Sequence, residues 1–231
     1  MEVVKKTQEL LVLRINADES LANAIRRSVA EVPTLAIDEV EVFKNDSALY
    51  DEMLALRLGL IPLKTEKGMT KKTKIDLKLS KTGPCTVYSG DLDGNAELVH
   101  DKIPIVFLGE EHKLELVATA VLGKGIDHAK FIPGLCYYRH LLEVKSSSEI
   151  DLIIQSSRSP FKAEKKGTKW ICDLNEADAH KIEKIDKDSI KNADEMLLFI
   201  ESYGNMDAKD ILTKAIGVLE ENLDVFEKAM K

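Results

Sequence analysis

The feature that most restricts the fold of this 231-residue chain is a regular apolar pattern near its C-terminus. Six apolar residues follow one another at spacings of four, three, four, three and four: Leu212, Ile216, Leu219, Leu223, Phe226 and Met230. We call them the seam. Heptad spacing is typical of a helix that packs lengthwise along another helix. The pattern predicts a helix capped by Asp207 and running to about Met230, roughly 35 Å long.

The seam has to be covered, because burying six such side chains contributes on the order of 10 kcal/mol. Two strands are expected to belong to the same unit: one from Glu9 to Ile15, and one from Glu195 to Tyr203 that ends in a turn at Gly204. The small core that these two strands can build is too short to cover the whole seam, so the pattern favours a partner protein. The alternative is a helix packed wholly on its own strands.

A second apolar stripe predicts a helix from about Leu21 to Glu31, with Asp18 or Ser20 as its cap. Its apolar residues share one face at helical spacing: Leu21, Ala22, Ile25 and Val29. Pro33 ends the helix, since the residue before a proline is pushed out of the helical region.

Three polar residues of this helix, Asn23, Arg26 and Arg27, lie largely off the stripe. They fit an exposed face with a favourable charge near the helix end. They also fit a docking surface, because the guanidinium fork suits carboxylates and carbonyls.

A strand from Thr34 to Phe43 comes next, and its apolar alternation changes phase after Ile37, which predicts a bulge or bend. A second helix is expected from Asp46 or Ser47 to Gly59, with a left-handed cap at Gly59 and Pro62 beyond it. The stretch Lys64–Lys81 then carries seven lysines. It fits a solvated loop leading into a strand, or a patch that faces phosphates or an acidic subunit.

From this strand to about Ser157 the pattern is rich in β-structure, including the segment 149–157. We predict an inserted β-rich domain over 45–142, between the two parts of a first domain, 1–44 and 143–231. The segment 156–194 is polar and lysine-rich, with a weak strand at 170–172.

Composition limits the function. The net charge of −7 argues against a free-standing nucleic-acid binder, which normally presents a basic face. The chain shows no apolar run long enough for a membrane span and no secretion signal. Three widely spaced cysteines, Cys85, Cys136 and Cys172, fit buried thiols in a cytoplasmic protein rather than disulfides or a metal pair.

Catalytic motifs are weak. Cys136 and His140 are four residues apart, which is about 13 Å on the expected strand, so a thiol–imidazole pair is disfavoured. Gly123-Lys124-Gly125 lacks the frame of a phosphate loop, and Asp91 and Asp93 lack the distal glutamate of an EF-hand. We therefore predict no catalytic residue and no metal ligand in this chain.

A family resemblance rests on motifs with fixed offsets. They are Leu21-Ala22-Asn23-Ala24-Ile25-Arg26-Arg27, Glu31-Val32-Pro33-Thr34, Ala36-Ile37-Asp38-Glu39-Val40, Asp51-Glu52, Leu54-Ala55, Arg57-Leu58-Gly59-Leu60-Ile61-Pro62-Leu63, the stretch Gly83 to Leu92, and His128-Ala129-Lys130-Phe131. In these the chain resembles the D-type subunit of archaeal RNA polymerase, a relative of the bacterial alpha-subunit amino-terminal domain and of the third-largest eukaryotic polymerase subunit. It departs from the pattern at Leu56, where a histidine is expected, and at Phe131, where a tryptophan is expected.

The resemblance implies an α+β protein whose outer segments form a dimerisation domain. It implies a non-catalytic assembly subunit that pairs with a small L-type subunit and carries the large catalytic subunits and small zinc-bearing subunits. Contact with DNA would be indirect, and the polymerase magnesium would lie on other subunits. A homodimeric, alpha-like scaffold is the alternative.

The resemblance also sets the expected interface. It would include the first helix, through Leu21, Ile25, Val29, Asn23, Arg26 and Arg27, and the seam. Many relatives hold an iron–sulfur cluster on an insert near 156–194. Such a cluster needs about four thiolates, and Cys172 is the one cysteine of that segment, so we predict none.

Overall fold

The computed structural model describes residues 1–231 as five α-helices and twelve β-strands. The helices are α1 (Glu19–Ser28), α2 (Asp51–Gly59), α3 (Ser148–Ser156), α4 (Glu176–Ile185) and α5 (Ala208–Ala229). The strands are β1 (Glu2–Lys6), β2 (Leu10–Ile15), β3 (Thr34–Asn45), β4 (Lys74–Thr82), β5 (Cys85–Tyr88), β6 (Asp93–Gly94), β7 (Pro104–Leu108), β8 (Lys113–Gly123), β9 (Gly134–Lys145), β10 (Glu164–Lys166), β11 (Lys169–Cys172) and β12 (Ile190–Ser202). The predicted α+β class is confirmed.

The strands form a six-stranded antiparallel sheet in the order β1-β2-β12-β9-β11-β10, a four-stranded sheet in the order β3-β8-β4-β6, and the pair β5-β7. The chain leaves the large sheet after β2 and returns to it at β9. Because β3 pairs with β8 and β9 pairs with β12, the sheets divide the chain near 33 and 133. The bounds predicted from sequence, 45 and 142, each lie about ten residues after these points, in β3 and β9.

Strand β2 shows how the large sheet is held. Leu11, Leu13 and Ile15 point to one face and pack under α1 and α5, while Val12 points to the other face and packs with Phe161. Both faces of the strand are therefore buried, as its nearly continuous apolar sequence predicts.

The middle part has its own core, built from β3, β4, β8 and α2. In β3 the pairing with β8 shifts register between Ile37 and Glu39, which leaves Asp38 as the extra residue. The bulge predicted from the phase change is therefore confirmed. Because of the extra residue, Val40 points to the same face of β3 as Ile37, and both side chains contact this core.

The second helix begins later than predicted, at Asp51 rather than near Ser47. The Ser47 hydroxyl donates to Asn45 Oδ1 and accepts from the Leu49 amide, so it shapes a turn. The Asp46 side chain does not cap the helix either, because its carboxylate accepts a hydrogen bond from the Lys113 amide at 3.0 Å. Gly59 is the last helical residue and has no positive φ, so the predicted left-handed cap is wrong.

The segment 149–157 is helical rather than extended. The Ser147 side chain accepts a hydrogen bond from the Ile150 amide and caps α3, and Ile150 and Ile154 share the buried face one turn apart. These residues pack on Trp170 and Ile182 in a small third core. The weak strand predicted at 170–172 is confirmed as β11.

The two parts of the chain are joined beside the start of α5. Asn205 donates to the Leu63 carbonyl at 2.9 Å, and its own carbonyl accepts from the Thr65 amide at 2.8 Å. The predicted turn at Gly204 is confirmed with φ of 97°, and a side chain there would overlap Val99. These contacts therefore hold the start of α5, which packs on the large sheet, against the middle part of the chain as well.

Candidate subunit interface

The first half of α5 belongs to the core of the chain itself. Its buried residues are Ala208, Ile211, Leu212, Ala215 and Val218, and the first four belong to the core of the large sheet. Leu212 is 8% exposed, and the next two seam residues, Ile216 and Leu219, are half-buried against the same core. Three of the six seam positions are thus covered, wholly or in part, without a partner.

The second half of α5 extends beyond the sheet. Every residue from 220 onward is exposed, and the three remaining seam residues are 60%, 63% and 71% exposed at Leu223, Phe226 and Met230. Val225 adds a further exposed apolar side chain. Apolar side chains repeated on one face and open to water are typical of a protein–protein contact site.

Helix α1 packs beside α5. Of the predicted stripe, Ala22, Ile25 and Val29 are buried in the core under the sheet, with Val29 in a short 3-10 turn that follows the helix. Leu21 is different, since it is 49% exposed at the start of α1. Asp18 occupies the cap position, but its side chain accepts no capping hydrogen bond.

The polar side of α1 faces water. Arg26 donates from Nε and Nη2 to Asn23 Oδ1, at 3.1 and 2.9 Å. Arg27 is exposed, and its side chain makes no hydrogen bond or ion pair within the chain. The structure therefore groups the three predicted polar residues on one helix, with one guanidinium already oriented and one free.

His140 connects the sheet to the first turn of α1. Its Nδ1 lies 3.1 Å from the Ala193 carbonyl, and its Nε2 lies 2.8 Å from the Glu19 carboxylate. Both neighbours are acceptors, so the imidazolium with two N–H groups fits the site. The hydrogen bond to Glu19 accordingly raises the pKa of His140.

The far half of α5 touches the rest of the chain at one point. The Asn222 amide nitrogen lies 3.3 and 3.4 Å from the two Glu31 carboxylate oxygens, and Lys124 pairs with the same carboxylate at 3.6 Å. Glu31 ends the 3-10 turn that follows α1. This contact lies beside the seam and leaves the seam itself open.

The cysteines lie apart from one another and do not build a reactive centre. Burial raises the pKa of Cys136 to about 11 and that of Cys172 to about 12, so both thiols stay protonated at neutral pH. Cys136 and His140 lie on strand β9, as predicted, and His140 is already bonded to Glu19. No group of three or more His, Cys, Asp or Glu side chains converges in a way that could hold a metal.

The lysine-rich stretch divides into two parts. Lys74, Lys78 and Lys81 lie on β4, where Lys81 pairs with Asp91 at 2.7 Å, while Lys67 lies in the preceding loop. Burial and the charge of Lys67 lower the pKa of Lys214 on α5. The loop therefore brings positive charge beside the first half of α5.

Helix α2 carries a second exposed apolar stripe, which the sequence analysis did not identify. Met53 and Leu56 on its outer face and Leu60 directly after it are about half exposed, and Leu54 and Leu58 are buried on the inner face. The departure at Leu56 thus lies at the surface. The sequence does carry a signal for this stripe, because a short helix with apolar residues on both faces cannot bury both of them.

The departure at Phe131 lies in the interior. Phe131 is 5% exposed, and its ring packs directly against Gly123, where an added Cβ would overlap the ring. The aromatic residue at this position therefore belongs to the packing of the chain.

None of the helices combines the length and the apolarity that crossing a bilayer requires.

Residues 12–223 match the model of the RNA polymerase Rpb3/Rpb11 dimerisation domain. The chain belongs to this family, and the match includes both α1 and most of α5.

Relatives in archaea share one name, DNA-directed RNA polymerase subunit Rpo3. The protein of Halobacterium salinarum is 34% identical over 94% of this chain and 90% of its own length. That of Methanocaldococcus jannaschii is 31% identical over 94% and 88%. That of Thermococcus kodakarensis is 42% identical over 63% of this chain and 61% of its own length. Rpo3 is a synonym for the archaeal D-type subunit, so the resemblance in sequence motifs and the family match agree.

Proposed function

We propose that this chain is a non-catalytic assembly subunit of a DNA-dependent RNA polymerase. The observation that carries the proposal is the unequal burial of α5, whose second half presents an apolar seam that nothing in the chain covers. Membership of a dimerisation-domain family and the Rpo3 relatives support it. The chain's contribution to catalysis would be to hold other subunits in position.

The partner of the seam in this proposal is a small L-type subunit. Leu223, Phe226 and Met230 would form the centre of the contact, because large apolar side chains in a desolvated centre supply most binding energy. Ile216 and Leu219 would continue it along the helix. Leu21 would add apolar surface at the start of α1, whereas Ile25 and Val29 would support the interface from within the core.

The large polymerase subunits would bind the polar side of α1. Arg27 is unpaired in the chain, and Arg26 is held by Asn23, so both guanidinium groups can receive carboxylates or carbonyls without breaking a salt bridge. Small zinc-bearing subunits would complete the platform. DNA would be reached through these subunits, which fits the net charge of −7.

The proposal includes no iron–sulfur cluster and no metal in this chain, with the polymerase magnesium held by other subunits. It also implies a cytoplasmic protein. Iron content is a direct check of the first statement: purified protein should contain far less than one iron per chain and show no visible absorbance. A stoichiometric iron content would contradict it.

Coexpression with the L-type subunit of the same organism tests the pairing. We expect a one-to-one complex in analytical ultracentrifugation, and we expect Leu223→Asp together with Phe226→Asp to abolish it. Glu221→Ala, on the outward side of the same helical turns, is the matched control and should leave the complex intact. A homodimer that excludes the L-type subunit, or a complex that survives the double substitution, would overturn the proposed pairing.

A further inference from the structure

As far as Asn222, one flank of the seam is already occupied by the chain itself. Ala215, just before Ile216, is fully buried, and Asn222, just before Leu223, is bonded to Glu31. Val218 points to the same side and is buried. Between Ala215 and Asn222 a partner helix therefore cannot lie against this flank of α5.

The other flank is open and acidic. Glu220 follows Leu219 by one residue and Glu227 follows Phe226 by one residue, so both carboxylates border the seam. Glu227 is exposed, and it pairs only with Lys231 at 2.7 Å, where both side chains are mostly in water. Glu220 is exposed and makes no ion pair. A partner helix has to approach over these two carboxylates.

The acidic flank is unfavourable for a second copy of the chain. In an antiparallel symmetric pair, each flank meets the same flank of the copy, so Glu220 and Glu227 would face their own equivalents. Like charges at such positions repel each other. In a parallel symmetric pair, each flank meets the opposite flank, which at Asn222 is blocked by the 3-10 turn at Glu31.

We propose that the second half of α5 is covered by a helix of a different chain that carries lysine or arginine opposite Glu220 and Glu227. This inference rests on the proposed function and adds the chemistry of the partner. The seam supplies affinity, and the flanking carboxylates select the partner and reject a second copy, which is how charges at the edge of an interface usually act.

Two designed peptides test the selection on the full-length chain. Both are helices as long as α5 with the same apolar seam, one flanked by lysine and the other by glutamate. We expect the lysine peptide to bind at least about tenfold tighter in low salt, which is about 1.4 kcal/mol, and the difference to shrink as salt rises. In Glu220→Lys/Glu227→Lys the preference should reverse. Equal binding of both peptides, or a preference that does not reverse, would overturn the inference.

Self-association gives a second test that needs no peptide. Removing the two charges with Glu220→Gln/Glu227→Gln should strengthen self-association of the full chain in sedimentation by about tenfold. The matched control is Glu221→Gln/Glu110→Gln, which removes two exposed charges away from the open flank and should change nothing. No strengthening, or equal strengthening in the control, would contradict the role of the flank.

The outcomes separate the two proposals. If a complex with the L-type subunit forms and both peptides bind equally, the seam is an interface and only the charge inference fails. If neither peptide binds and no complex forms, the seam is not an interface, and the proposed function fails together with the inference.

Discussion

The two halves of α5 have the same apolar spacing and opposite surroundings. In the first half, Ile211 is fully buried and Leu212 nearly so, against the large sheet. In the second half, Leu223 and Phe226 are mostly exposed. The comparison teaches that a heptad pattern specifies a face that has to be covered, but not whether the cover comes from the same chain. It also separates residues that hold the fold from residues available for assembly.

The largest expected effect is on stability, at the first half. Ile211→Ala removes a fully buried side chain and leaves a cavity, so the free energy of unfolding should fall by about 2–5 kcal/mol. Urea unfolding of the isolated chain measures it. Val225→Ala, at an exposed apolar position of the second half, is the control and should change the free energy by less than about 0.5 kcal/mol. Similar losses in both variants would erase the distinction between the halves.

The next effect is on binding, at the second half. Phe226→Ala should weaken the proposed complex with the L-type subunit by about 2–4 kcal/mol, as expected for a large side chain in the centre of an interface. Because Phe226 is exposed in the chain alone, the unfolding of the isolated chain should barely change. Titration calorimetry with parallel urea unfolding separates the two. Leu219 is a poorer probe, because it also packs on the chain's own core.

A smaller effect is expected where the two halves meet. Asn222→Ala removes the contact with Glu31, which is long at 3.3 Å and exposed. Fraying of the second half should increase, with a loss of about 0.5–1 kcal/mol in local stability. Hydrogen exchange of the amides beyond 222 measures it, with Asn95→Ala in a distant loop as the control. Unchanged exchange would mean that the second half is held by something other than this contact.

The smallest effect concerns pH and the first turn of α1. Because the folded state raises the pKa of His140, the stabilisation from its charge is complete below about pH 6.5, the unfolded value. It is lost as the pH rises through the higher folded pKa. The partner Glu19 is largely exposed, so the effect should stay below about 1 kcal/mol. Unfolding from about pH 6 to about pH 9 should show this decline, and His140→Gln should flatten it. An equal decline in both proteins would assign it to other groups.

Regular patterns made part of the fold predictable from the sequence. The phase change after Ile37 predicted the bulge in β3, and the apolar alternation predicted β2 and β4. The seam predicted α5 almost to the residue. In each case the burial of a face fixes the period, so the sequence carries the signal directly.

Other features depended on contacts that no local pattern records. Segment 149–157 is apolar enough for a strand. It is nevertheless helical, because Ser147 caps the helix and its apolar face packs in the third core. Ser47 resembles a cap but serves a turn with Asn45. The points at which the chain passes from one sheet to the other depend on the pairing of β3 with β8 and of β9 with β12.

The candidate site was predictable in its elements and less so in its details. The spacing identified the seam, but exposure alone separates Leu223 from Leu212, which both belong to the apolar positions of the heptad pattern in one helix. The same holds in α1, where Leu21 is half exposed and Ile25 is buried. The open acidic flank depends on which side of α5 the 3-10 turn at Glu31 covers, and that is a property of the folded chain.

Hydrogen exchange along α5 tests the central claim most directly, in the isolated chain and in the proposed complex with the L-type subunit. Alone, the amides of 211–218 should be strongly protected and those of 222–230 should be protected far less. In the complex, the second group should gain at least about a hundredfold protection, which is about 2.7 kcal/mol. Equal protection of both halves in the isolated chain, or no gain in the complex, would contradict the account.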